Sequence, residues 1–138
     1  MELSIETIPG FPRITLVRVA GRVDGSNYLS LIEKARTLLA AGPDCLLLDL
    51  QGCSHLSSAG LFALHNIALI ANQYQALDHE DGWGAMKRMA DETRELKGRF
   101  KLIQVPEKIM TTLQVSGLSA LYEIHPDLQA ALAALVPV

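Results

Sequence analysis

Two adjacent hydroxyls, Ser57 and Ser58, stand where a polar stretch gives way to a long apolar run. At the start of a helix such a serine has two uses. Its oxygen can accept a bond from a free backbone N–H and cap the helix. It can also serve as a chemical switch beside the positive end of the helix dipole. Upstream, Asp49 lies in a buried-strand run, Cys45 to Leu50, and Gln51 to Ser54 reads as a polar turn. In an open α/β sheet, ligands and partners dock at the carboxyl ends of strands and the helix N-termini beside them. Asp24, in Gly21-Arg22-Val23-Asp24-Gly25, is a second acid at a strand end. With Asp24 and Asp49 at the same end of the sheet as Ser58, the hydroxyl pair is expected to sit in an acidic patch. Gly60 is expected to keep the first turn of the helix uncrowded.

Other chemistries find no support. His55, His65, His79 and His125 are scattered, without a Cys, His or acid at zinc-ligand spacing. His65, inside the apolar run, reads as a hydrogen-bonded core residue. Gly52-Cys53-Ser54-His55-Leu56 is not a nucleophile elbow, and no phosphate-binding glycine loop occurs. The expectation is a protein that is not an enzyme, with no cofactor and no metal. The net charge of −3, from 12 basic and 15 acidic residues, comes without a basic stripe, so nucleic acid is not the expected partner. The apolar run from Leu61 to Ala71 is too short for a bilayer, which takes about 18–20 residues. No signal peptide is visible, and Cys45 and Cys53 read as reduced thiols, so the expected location is cytoplasmic.

The elements that must position the serines follow from periodicity. Leu3 to Ile8 and Ile14 to Val19 alternate as strands around the turn Pro9 to Pro12 and predict an antiparallel hairpin. A helix capped by Ser26 or Asn27 follows, with Leu29, Ile32, Ala35, Leu38 and Leu39 on one stripe. Cys45 to Leu50 is nearly continuous in hydrophobicity, as a central strand covered on both faces should be. The helix from Ser58 is apolar nearly all round and should be buried. Arg99 to Gln104 reads as a strand, Glu107 to Val115 as a helix stopped at Ser116-Gly117, Leu121 to Ile124 as a short strand and Asp127 to Leu135 as a terminal helix. This order predicts an α/β domain on a mixed sheet, its N-terminal hairpin antiparallel and its helix-linked strands parallel.

These residues resemble the STAS domain, in particular the bacterial anti-sigma factor antagonists. The likeness rests on Gly21-Arg22-Val23-Asp24, Leu47-Leu48-Asp49-Leu50-Gln51-Gly52, Leu56-Ser57-Ser58-Ala59-Gly60-Leu61 and Val115-Ser116-Gly117-Leu118, in this order and spacing. The resemblance implies a STAS-like sheet with helices mainly on one face and a regulatory binding module. Its partners would be an anti-sigma factor that is also a serine kinase, and a phosphatase. It implies phosphorylation at Ser58, because Gly60-Leu61 fixes the register. Ser57, where the family motif carries an Asp, is the second candidate. Asp24, Asn27, Asp49, Ser57, Ser58, Gly60 and Leu61 would form the partner-binding surface.

Residues 73–98 depart from the pattern. They hold six acids, four bases and the lone Trp83, and predict a helical insertion within a single domain spanning 1–138. The insertion offers a surface for self-association or a further partner, with Trp83 packed on the domain or offered outward. Two other readings stand beside the switch: an unphosphorylated scaffold or sensor subunit of a larger assembly, and a small-anion or nucleotide-binding module using the helix N-terminus.

Overall fold

A computed structural model describes residues 1–74 and 99–135. The 73–98 insertion and Trp83 therefore lie outside the described residues, apart from Gln73 and Tyr74 at its start. Five strands form one sheet in the order β1 (Glu2–Ile8), β2 (Phe11–Val23), β3 (Cys45–Leu56), β4 (Phe100–Ile103), β5 (Glu123–His125). β1 and β2 are antiparallel, and the remaining pairs are parallel. The helices are α1 (Tyr28–Ala40), α2 (Ser58–Ala71), α3 (Glu107–Ser116) and α4 (Leu128–Leu135), with a short 3₁₀ turn at Leu118–Ala120. This is the mixed α/β architecture expected.

Strand alternation sorts the core onto two faces. Leu46, Leu48, Leu50, Phe100 and Leu102 point to the layer of α1, α2 and α3 and form the main core with Leu31, Ile32, Phe62, Leu64, Ile67, Ile109 and Leu113. Ile14, Leu16, Cys45, Leu47 and Ile103 point the other way and are covered by α4 through Ala131, Leu128, Leu132 and Leu135. α2 is buried along almost its whole length, because residues on every side of it are apolar and it is covered on every side. α1 buries Leu31, Ile32 and Ala35, whereas Leu29 is 46% exposed. The stripe thus begins at Leu31 rather than Leu29. α3 ends at Gly117, whose φ of 82° is the left-handed conformation that a glycine adopts without penalty.

β3 is the main departure from the sequence expectation. The polar stretch Gln51 to Ser54 is not a turn; the strand runs through it to Leu56. Two β-bulges make this possible. Arg18 and Ala20 on β2 face Asp49 and Gly52 on β3, and Gly21 and Arg22 face Cys53 and His55, so β3 gains one residue at each place. The extra residues turn the polar side chains outward, and Leu50, Cys53 and Leu56 all stay in the main core. An apolar spacing of three rather than two hides such a strand from a period-two reading.

Candidate functional site

The lengthened β3 brings Ser57 to the edge of β2. Ser57 N–H donates to the carbonyl of Val23 at 3.0 Å, one residue before Asp24. Its backbone is extended (φ −78°, ψ 177°), and its Oγ accepts from Gly60 N–H at 3.2 Å. Ser57 is therefore the N-cap of α2. Ser58 is the first helical residue; it is exposed, and among the described residues its side chain has no hydrogen-bond partner. The two serines divide the two roles: Ser57 holds the helix, and Ser58, the residue that the resemblance singles out, is left exposed.

Gly60 has an inward role rather than an outward one. A Cβ there would stand 2.8 Å from the Val23 carbonyl oxygen and 2.6 Å from Leu56 Cδ1. The carbonyl that holds Ser57 thus also fixes Gly60, and only a glycine lets α2 approach β2 so closely. The turn is crowded by the protein's own strand.

Asp24 lies beside this corner. Its Oδ1 accepts from Ser26 N–H at 3.0 Å and Ser26 Oγ–H at 2.6 Å, while Arg22 Nε approaches Oδ2 at 3.7 Å. The Ser26 bonds, with help from Arg22, hold the carboxyl below the usual range. Asn27 occupies the N-cap position of α1 but makes no side-chain cap bond. Its side chain ties the loop instead, accepting from Asp24 N–H at 3.0 Å and donating to the Arg22 carbonyl at 2.9 Å.

Asp49 is elsewhere. Its β2 partner is Arg18, five residues before Val23, the partner of Leu56; at about 3.3 Å per residue that is roughly 17 Å along the sheet. It also points to the face opposite α2, between its neighbours Leu48 and Leu50, which belong to the main core. The side chain is buried, accepting from Arg18 Nη1 at 3.2 Å and Gln51 N–H at 2.9 Å. Asp24 and Asp49 therefore do not form the expected acidic patch around Ser58. α2 has no acid in its first turn, and Asp24 is already engaged.

What borders Ser58 is an apolar groove of about 420 Å³ between α2 and α3. Leu56, Leu61 and Val115 line it, with Ser58, Thr111, Thr112 and Ser116 around them. Val115 is 84% exposed. The three α3 hydroxyls donate back to helix carbonyls, to Glu107, Lys108 and Leu113 at 3.0, 3.2 and 2.9 Å, which leaves the groove few free donors. The sequence reading missed this α3 wall. Its one signal was Val115, an apolar residue off the Ile109–Leu113 stripe.

Cys45, Cys53 and His65 have structural surroundings. Burial pushes the Cys45 thiol up to about 12 and raises that of Cys53, so neither is a ready nucleophile. His65 is buried and its Nδ1 pairs with Tyr122 Oη at 2.8 Å, as expected of a core histidine. Among the described residues no cluster of His, Cys, Asp and Glu could hold a metal, and no helix is long and apolar enough to cross a membrane.

Comparison with known families matches residues 3–76 to the STAS domain. The chain belongs to the STAS domain family. Solved structures share this STAS fold over nearly the whole chain. An anti-sigma factor antagonist from Mycobacterium paratuberculosis superposes with a TM-score of 0.68 at 19% identity, covering 97% of this chain and 92% of its own. A putative anti-sigma factor antagonist from Thermotoga maritima gives 0.68 at 13%, covering 96% and 93%. The Bacillus cell fate determinant SpoIIAA in its phosphorylated form gives 0.55 at 15%, covering 98% and 100%. No curated protein matches the chain.

Proposed function

We propose that this STAS domain is an anti-sigma factor antagonist-like binding module, acting in the cytoplasm, whose docking surface is the N-terminal corner of α2. The module binds rather than catalyses. Its partner is an anti-sigma factor with serine kinase activity, and phosphorylation of Ser58, reversed by a phosphatase, releases that partner. The observation that carries this reading is the exposed, unbonded Ser58 hydroxyl at the rim of the apolar groove, beside a neighbour that already caps the helix. Ser57, with its oxygen committed to Gly60 N–H, is the poorer acceptor.

The physics of the switch differs from a like-charge patch. A phosphate on Ser58 would sit at the positive end of α2, where the helix offsets its charge by about 0.3–1 kcal/mol, so the fold tolerates it. In the groove the same dianion meets Leu56, Leu61 and Val115. A partner side chain packed there would force the phosphate to shed water without a compensating cation, at a cost of several kcal/mol. Every 1.4 kcal/mol is tenfold in affinity, so the complex fails before the fold does.

Incubation with ATP and candidate serine kinase anti-sigma factors, followed by mass spectrometry, tests the site. Phosphate is expected on Ser58 and lost in Ser58→Ala. Calorimetry then compares partner binding by wild type and Ser58→Asp, with at least a tenfold loss expected. Equal binding by both would mark a constitutive scaffold instead of a switch.

A further inference from the structure

On the far side of the sheet from α2, a second cluster of charge, built on a buried lysine, has no part in the switch. Lys101 on β4 is 2% exposed, and its ammonium pairs with Glu123 Oε2 on β5. The other oxygen of that carboxylate, Oε1, lies 2.7 Å from His125 Nε2. Register explains the juxtaposition. Lys101 faces Glu123 across the strand pair, and Ile103 faces His125. Phe100 and Leu102 belong to the main core, so Lys101 points to the opposite face, the one that α4 covers. Cys45, within the electrostatic reach of both Lys101 and Glu123, is buried on that face too.

The elements held by this cluster are slight. β5 has three residues, lies at the sheet edge and pairs with β4 alone. It leads directly into α4, eight residues long with Ala131 its one fully buried residue. α4 nevertheless covers Ile14, Leu16, Cys45, Leu47 and Ile103. A large apolar face is therefore closed by a short segment whose charged contact with β4 runs through one carboxylate. Removing that carboxylate would strand a buried ammonium, a cost that admitting water would relieve.

We infer that β5 and α4 form a latch over the second apolar face of the sheet, clamped by the Lys101–Glu123–His125 cluster and able to open as a unit while the rest of the fold stays closed. Partial opening of this kind is how low-stability segments separate from a stable core. The latch lies on the face opposite α2, so its opening need not disturb the Ser58 corner.

Native-state hydrogen exchange tests the inference. In Glu123→Gln, amides of residues 123–135 are expected to exchange about 10- to 100-fold faster than in wild type, with β2, β3 and α2 changed by less than about twofold. Lys101→Met removes the buried charge instead of stranding it, and should stay within about threefold of wild type. The double variant Lys101→Met/Glu123→Gln should regain most of the protection that Glu123→Gln loses. Unchanged exchange at 123–135 in Glu123→Gln would overturn the latch, and so would equal acceleration of every element. Exchange at 123–135 in Lys101→Met about tenfold or more above wild type would do the same, and this arm stands even if Glu123→Gln does not fold.

Discussion

The division of labour between Ser57 and Ser58 makes a pair of opposed expectations. Ser57→Ala removes the oxygen that accepts from Gly60 N–H at 3.2 Å. Gly60 is buried against β2, so water cannot readily replace that acceptor. Loss of an N-cap serine costs about 0.5–2 kcal/mol, typically about 1. For a chain of this size, about 1 kcal/mol lowers Tm by roughly 3–5 °C. Ser58→Ala removes an exposed hydroxyl without a partner and installs the best helix former, so the change should lie within about 0.5 kcal/mol of zero. Ser58→Asp places a negative charge at the helix N-terminus and should leave stability equal or raise it by about 0.3–1 kcal/mol. Urea unfolding of the three variants, with the slope of ΔG against denaturant checked for constancy, measures all of this in one experiment. The functional expectation is the reverse ordering: Ser57→Ala keeps phosphorylation at position 58, and Ser58→Ala loses it while keeping its stability. If Ser58→Ala cost as much as Ser57→Ala, or Ser57→Ala cost nothing, the assignment of cap and switch would be refuted.

Gly60→Ala should be destabilising although alanine favours helix. The added Cβ meets the Val23 carbonyl at 2.8 Å and Leu56 Cδ1 at 2.6 Å. Overpacking of about 1–3 kcal/mol outweighs a propensity gain of at most about 1; a lowered urea midpoint checks it, and a wild-type midpoint would mean that α2 stands further from β2. Val115→Asp should leave Tm within about 2 °C, because the side chain is 84% exposed, and weaken partner binding at least tenfold by calorimetry. Undiminished binding would remove α3 from the docking surface. Acid should loosen the latch before the core. Partial burial raises the Glu123 carboxyl, but bonds from Lys101 and His125 outweigh this and hold it below its ordinary 4.5. A depressed folded value contributes stability above the unfolded value and loses it as pH falls through the folded one. Lys101 on β4, His125 on β5 and Cys45 on β3 are the groups facing it. Below about pH 4.5, exchange at 123–135, corrected for its intrinsic pH dependence, should rise ahead of α2, and simultaneous loss would contradict it.

Much of this protein could be read in one dimension. The hairpin, the amphipathic α1, the apolar α2, the Gly117 stop and the Asp127-initiated α4, where Asp127 Oδ1 accepts from Ala130 N–H at 2.8 Å, are local patterns. Periodicity and capping chemistry are written in neighbouring residues and need no distant partner. The STAS family and the position of the serine pair were legible for the same reason. What was not legible depended on residues far apart in the chain. The bulges that extend β3 through Gln51 to Ser54 exist because β2 offers a ladder to pair with, and the bulges turn a polar run outward instead of ending the strand. Asp49 was expected at the site, but cross-strand register buries it against Arg18 on the other face. The roles of Ser57 and Ser58 differ through one carbonyl, that of Val23, which fixes where the helix begins. The groove beside Ser58 has its second wall on α3, some fifty residues away in sequence. The sequence by itself determined which elements form and where a hydroxyl switch could lie. Only the tertiary structure decided which serine is free and what a phosphate there would meet, because burial and electrostatics belong to groups brought together by packing.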